Sequence, residues 1–325
     1  MKKPVILLIF FALIVSNCKE EQILTGKEIM AVNAHSTLHL NLYVAHGKGL
    51  FSKRGLDVRI ISTNDGVAEV QEGNADIVFH DPTDVVGPMF KKKSSVVILP
   101  EWINLAIIGQ GATSCNAALV VPIDSPVKQY SDLDGMSIAG ISTRSCAITS
   151  MKDILKRKHH TEFTSVMLTS DEILVALETR GIEAAVLDEP LLTQALLLKN
   201  AIRKPKYRTV FNDIIEKNIP GSIISANSVF LQTRTYDVRL FLDAIDEANH
   251  IISANPAAPD IVSIAGKHIS VTREALAQSN HRLNFNIQLD TENIRNYADT
   301  LLRLDIIKLN PEDSLFAPQF KGITW

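Results

Sequence analysis

Residues 42–58 constrain the fold more than any other part of the chain. The apolar run Leu42-Tyr43-Val44-Ala45 reads as a helix that reaches Gly55, and Leu56-Asp57-Val58 restarts an extended run. Gly55 suits the left-handed residue that closes a helix and turns the chain back. Just upstream, the apolar run at 29–32 reads as a strand, and the polar residues 33–37 join it to the helix. The unit is strand–loop–helix–strand, so the fold class is α/β. Its loop lies at the carboxyl end of a parallel strand, where open α/β sheets bind their ligands.

The N-terminus carries a different message. Met1-Lys2-Lys3 followed by the apolar stretch 4–15 has the form of an export signal and is short for a membrane span. The stretch ends at Val15-Ser16-Asn17-Cys18, and a polar tether follows, which resembles a bacterial lipobox. Asn17 stands where a small residue is usual. The expectation is a signal peptide at 1–17, a lipid on Cys18 and a tethered linker over 18–28. Stable anchoring needs more than one acyl chain. With 46% hydrophobic and 21% charged residues, the rest of the chain has a globular composition. A net charge of -3 lends no support to a nucleic-acid surface. Cys115 and Cys146 either pair in an oxidising compartment or stay as buried thiols, because their distance cannot be read from sequence. No His or Cys cluster has zinc-ligand spacing, so neither a metal nor a cofactor is expected.

The wording of several segments resembles one family. Lys48-Gly49, Phe51 and Gly55-Leu56-Asp57-Val58 fit the first helix of periplasmic substrate-binding proteins of ABC importers, in the group serving nitrate, alkanesulfonates, taurine and thiamine-pyrimidine precursors. Gly73, Ala75 and Asp76 fit its G-x-A-D turn. Asp124-Ser125, Asp132-Leu133, Gly135 and Ile138-Ala139 fit the passage that opens its second lobe. The run from Gly181 to Asp188-Glu189-Pro190 fits its G-x-V-D-A-A-V-L-W-E-P segment, and 293–307 resembles its closing segment. The likeness spans about residues 29–310, and the motifs come in the correct order. It implies the two-lobed type II periplasmic-binding-protein fold, with a ligand cleft between lobes joined by two crossing segments. Lobe 1 would take 29–120 and 216–325, and lobe 2 would take 121–215. The implied protein is a monomeric lipoprotein of the periplasm or cell envelope that hands a small molecule to an ABC permease.

Four loops would face the cleft: 33–40, 79–84, 141–146 and 188–190. Ser36, Thr37 and His39 would contact ligand from the first, His80 and Asp81 from the second, Ser142, Thr143, Arg144 and Ser145 from the third, and Asp188 and Glu189 from the fourth. Arg144 either grips an anionic group with its two-pronged guanidinium or pairs with an acid elsewhere. Ser142, Thr143 and Ser145 are either ligand donors or helix caps, since both roles use the same residue types. His39 precedes Leu42-Tyr43-Val44-Ala45 as a histidine does in the thiamine-pyrimidine branch, but Ala34 replaces that branch's tryptophan. Asp81 and Asp84 flank Pro82 and either accept protons from a ligand or cap a helix. One arginine among several acids favours a polyfunctional, anion-bearing organic ligand over bare nitrate.

Enzyme readings find little in the residues. No G-x-S-x-G elbow, P-loop or dinucleotide fingerprint occurs. The alternatives are a sensory ligand-binding lipoprotein without a transporter, and a menaquinone-pathway-type enzyme on the same fold.

Overall fold

Short runs of Ile, Val, Leu and Ala become strands in the computed structural model, which describes residues 28–33, 36–63, 65–84, 105–307 and 316–317. The strands are β1 (Ile29–Asn33), β2 (Val58–Ser62), β3 (Ile77–His80), β4 (Leu105–Gln110), β5 (Ala117–Pro122), β6 (Ser137–Gly140), β7 (Thr164–Met167), β8 (Ala184–Asp188), β9 (Tyr207–Val210) and β10 (Ile223–Asn227). They form two five-stranded sheets, β2-β1-β3-β10-β4 and β7-β6-β8-β5-β9. β1 runs parallel to β2 and β3, and β6 parallel to β7 and β8. β10 and β5 enter antiparallel to their neighbours. β3, β4 and β10 are buried along their whole length, because helices cover both faces of the first sheet.

The helices are α1 (Leu40–Gly47), α2 (Gly66–Gln71), α3 (Cys146–Ile154), α4 (Ser170–Glu178), α5 (Leu191–Leu197), α6 (Ser228–Thr233), α7 (Thr235–Ala254), α8 (Pro259–Ala265), α9 (Arg273–Asn280) and α10 (Thr291–Arg303). Gly55 has the left-handed φ of 73° that its position predicts, but it closes a short 3-10 turn at Ser52–Arg54, because the helix expected to reach it stops at Gly47. Thr169 caps α4, and Glu172 closes a reciprocal capping box with it. β10 stops at Asn227, whose side chain accepts from the Val229 and Phe230 amides and starts α6. The apolar residues 96–99 and the segment 1–27 with Cys18 lie outside the described residues.

Two crossings join the sheets, one between β4 and β5 and one between β9 and β10. They are hydrogen-bonded to each other: Gly111 N–H to Ser222 O at 2.9 Å, and Gly221 N–H to Ala112 O at 2.9 Å. A Cβ on Gly221 would collide with the Ser114 carbonyl, and one on Gly111 with Ser222 Oγ, so this close approach requires glycine. Ser222 Oγ also donates to Leu38 O at 3.1 Å, which ties the crossings to the loop before α1.

Chain order misleads at two places. β5 joins the second sheet from Ala117, ahead of the boundary expected at 121. α10, expected with the first sheet, lays Ile294, Tyr297, Ala298 and Leu301 in one apolar cluster with Ala147, Ile148 and Met151 of α3. That cluster also takes Val78 and Ile107 from the first sheet, so α10 packs between the two halves.

Candidate functional site

The second, third and fourth loops converge on Asp81. β3 ends at His80, a helical turn at 82–84 follows, and the Asp81 carboxylate turns back over it. Its Oδ1 accepts from Thr83 N–H at 2.8 Å, and its Oδ2 accepts from Cys146 N–H at 2.9 Å. Cys146 is the first residue of α3, so an acid from the first half satisfies a free amide at a helix N-terminus in the second. Cys146 is also joined to Cys115 in the first crossing by a disulfide, with Cα atoms 6.1 Å apart.

Three carboxyls share this region and disfavour each other's charge. Asp81 is pushed up from the ordinary carboxylate value, by burial first, although its amide donors pull the other way. Asp188 at the end of β8 is pushed up to about 7, by burial and then by the charges of Asp81 and Glu189. Its Oδ1 is sealed from solvent and meets no hydrogen-bond donor. Asp84 reaches solvent on one side, yet protein crowding on its other sides, followed by the Asp81 charge, raises it to about 7; Arg144 pulls it down. An unsatisfied buried carboxyl among other acids is costly unless a donor or cation arrives.

The predicted residues divide into several fates. His80 is buried, with its Nδ1 2.9 Å from Asp81 O and its Nε2 2.9 Å from Ser225 Oγ. The carbonyl can only accept, so Nδ1 carries the proton and Nε2 accepts from the serine. Burial lowers this imidazole to about 3 and keeps it neutral. His39 is buried as well, edge-on to the Phe79 ring at 5.8 Å. Both histidines therefore support the second loop from beneath. Ser36 Oγ accepts from Leu38 N–H, and Thr37 opens a short 3-10 turn. Ser145 caps α3 through Ile148 N–H, and Ser142 Oγ accepts from Arg144 N–H. Thr143 is half-buried beside them. Arg144 is exposed at the mouth, and no described carboxylate lies within ion-pair distance of it. Glu189 Oε1 instead pairs with Arg282 at 2.7 Å, and its Oε2 accepts from Thr193 N–H at 3.1 Å. Asp188 Oδ1 and the Arg144 guanidinium are left as the predicted charged groups with no hydrogen-bond or ion-pair partner among the described residues.

Sequence reasoning missed Tyr297, Thr83, Thr149 and Arg282. Tyr297 Oη lies 2.6 Å from Thr149 Oγ1 and also bonds Thr83 Oγ1. The amphipathic spacing of 294, 297, 298 and 301 was visible, but not where that face docks. A separate open hollow of about 540 Å³ lies beside the crossings, lined by Gln110, Thr113, Lys217 and Asn286 among others; none of the four loops lines it.

Residues 36–258 match the family described as NMT1/THI5 like. Among solved structures, the chain resembles the ligand-binding component of an ABC-type import system from Staphylococcus aureus with zinc bound: 14% identity, TM-score 0.70, covering 90% of this chain and 97% of that one. It also resembles the periplasmic aliphatic sulphonate binding protein SsuA from Escherichia coli, at 13% identity and TM-score 0.70, covering 93% and 95%. The periplasmic nitrate-binding protein NrtA from Synechocystis PCC 6803 follows at 11% identity and TM-score 0.67, covering 87% and 83%. These likenesses show the two-lobed type II periplasmic-binding-protein fold that the motifs implied. No curated protein matches the chain.

Proposed function

The chain belongs to the NMT1/THI5-like family, and from that premise we propose that it is an extracytoplasmic solute-binding protein of an ABC importer, tethered by lipid on Cys18. Its lobes would divide at the two crossings, and its cleft would take a small organic molecule with two unlike ends. A cationic or N–H-rich end, such as an amine or aminopyrimidine edge, would meet Asp188 and the field of Asp81 and Asp84. An anionic end would meet Arg144 at the mouth. The observation that carries this reading is Asp188 Oδ1, buried without a donor in a ring of acids. Binding rather than catalysis is supported by the three similar structures named above, each of a binding protein or binding component. A permease partner follows from the same reading.

Mass spectrometry of whatever small molecule co-purifies with the natively folded protein identifies the ligand, and calorimetry with that molecule tests the assignment. Arg144→Ala removes a charge-assisted contact and should weaken binding about tenfold. Because no described carboxylate pairs with Arg144, the melting temperature of the variant should stay close to that of the wild type. Unchanged affinity in Arg144→Ala would remove the anionic end and leave the acids as the sole recognition groups.

A further inference from the structure

We infer that Tyr297 is a positioning residue: it sets the spacing between the second and third ligand-facing loops, and through it α10 clamps the two lobes together. The inference rests on the reading of the cleft as a ligand site, and on nothing about which ligand enters.

Tyr297 is 1% exposed, and its hydroxyl sits between Thr83, in the second loop, and Thr149, one turn into the helix that follows the third. The polarity of this chain of hydroxyls is fixed by its far end. Thr149 Oγ1 lies 2.9 Å from Ser145 O and 3.1 Å from Cys146 O, both carbonyls that only accept. Its single proton therefore goes to a carbonyl, and it accepts from Tyr297. The phenol proton is then committed, so Tyr297 accepts from Thr83. The order runs from Thr83 through Tyr297 and Thr149 to the carbonyls of the α3 N-terminus, with every proton used once. Burial holds the phenol well above its ordinary pKa, so it stays a neutral donor and acceptor.

A second bridge runs alongside. The two oxygens of Asp81 span Thr83 N–H and Cys146 N–H, joining the same two segments. α10 is in turn fixed to α3 by Arg303, which meets both oxygens of the buried Asp153 at 2.9 and 2.8 Å. Thr149 and Asp153 are four residues apart and share one face of α3. Tyr297 is thus held on the second lobe and reaches Thr83 on the first. It decides where Asp81 stands relative to the loop that carries Arg144, without needing to touch ligand.

Hydrogen–deuterium exchange on ligand-free, full-length protein tests this. Tyr297→Phe keeps the ring and deletes the hydroxyl. Exchange at the Thr83 and Cys146 amides should quicken about tenfold, while the β8 amide of Val186 keeps its rate. Thr149→Val breaks the same chain one link further on, so it should give the same change, and the double variant should add nothing to either. Wild-type rates in Tyr297→Phe would overturn the inference, as would equal quickening at Val186 or additive effects in the double variant. No ligand is present in the measurement, so its failure leaves the ligand assignment standing, and the reverse holds too.

Discussion

Asp188→Asn probes the acid cluster most directly. In the folded chain the Asp188 carboxyl titrates near 7 instead of 3.8. The folded state therefore holds this proton more tightly than the unfolded state. Between those two values unfolding releases a proton, so stability falls as pH rises through the window and the loss is complete above the upper value. A shift of roughly three units amounts to about 4 kcal/mol in full. About 2 kcal/mol of that is lost between about pH 5.5 and about pH 8.5. Asn has nearly the same shape and never ionises, so this part of the slope should vanish in the variant. The residual slope would report Asp81 and Asp84, whose raised values act in the same direction.

Urea unfolding at the two pH values reads the effect. The wild type should lose about 2 kcal/mol more than Asp188→Asn over the interval. Parallel profiles would refute the reasoning, because they would mean that Asp188 is ionised at little cost in the folded state. The same titration governs binding. A cationic ligand needs the carboxylate, so affinity should rise with pH up to about 7, by about tenfold per unit at most, and the variant should lose that dependence.

The disulfide offers a second test: it closes a sequence separation of 31 residues, and loop-closure entropy assigns such a link about 3 to 4 kcal/mol. Thiol reductant should lower the melting temperature of the wild type and leave that of a Cys115→Ser, Cys146→Ser variant unchanged. At the other end of the chain, Cys18 should carry lipid in cells. Labelled palmitate that is still incorporated after Cys18→Ala would remove the anchor from the proposal.

Turn chemistry made much of the fold legible. Gly55 and Gly135 adopt φ 73° and 72°, and each is a local requirement that one residue type announces. The strands between such turns were readable as apolar runs. β9 was not, because Tyr207-Arg208-Thr209-Val210 buries its outer residues and leaves the middle pair half-buried at a sheet edge. The site was legible as positions and illegible as roles. A carboxylate beside a helix N-terminus serves equally to cap a helix, to close a cleft or to bind a ligand, and only its spatial partner decides. Glu189 finds Arg282 across 93 residues, and Asp81 finds Cys146 across 65. Neither pairing leaves a trace in local sequence. These partners also rank the acids. Both oxygens of Asp81 are taken by backbone amides, and both of Glu189 by Arg282 and Thr193. Such groups act on a ligand mainly through their charge, because each oxygen already accepts from a protein donor. Asp188 is different: the fold buries its oxygen and supplies no donor. That missing donor is what a ligand would bring.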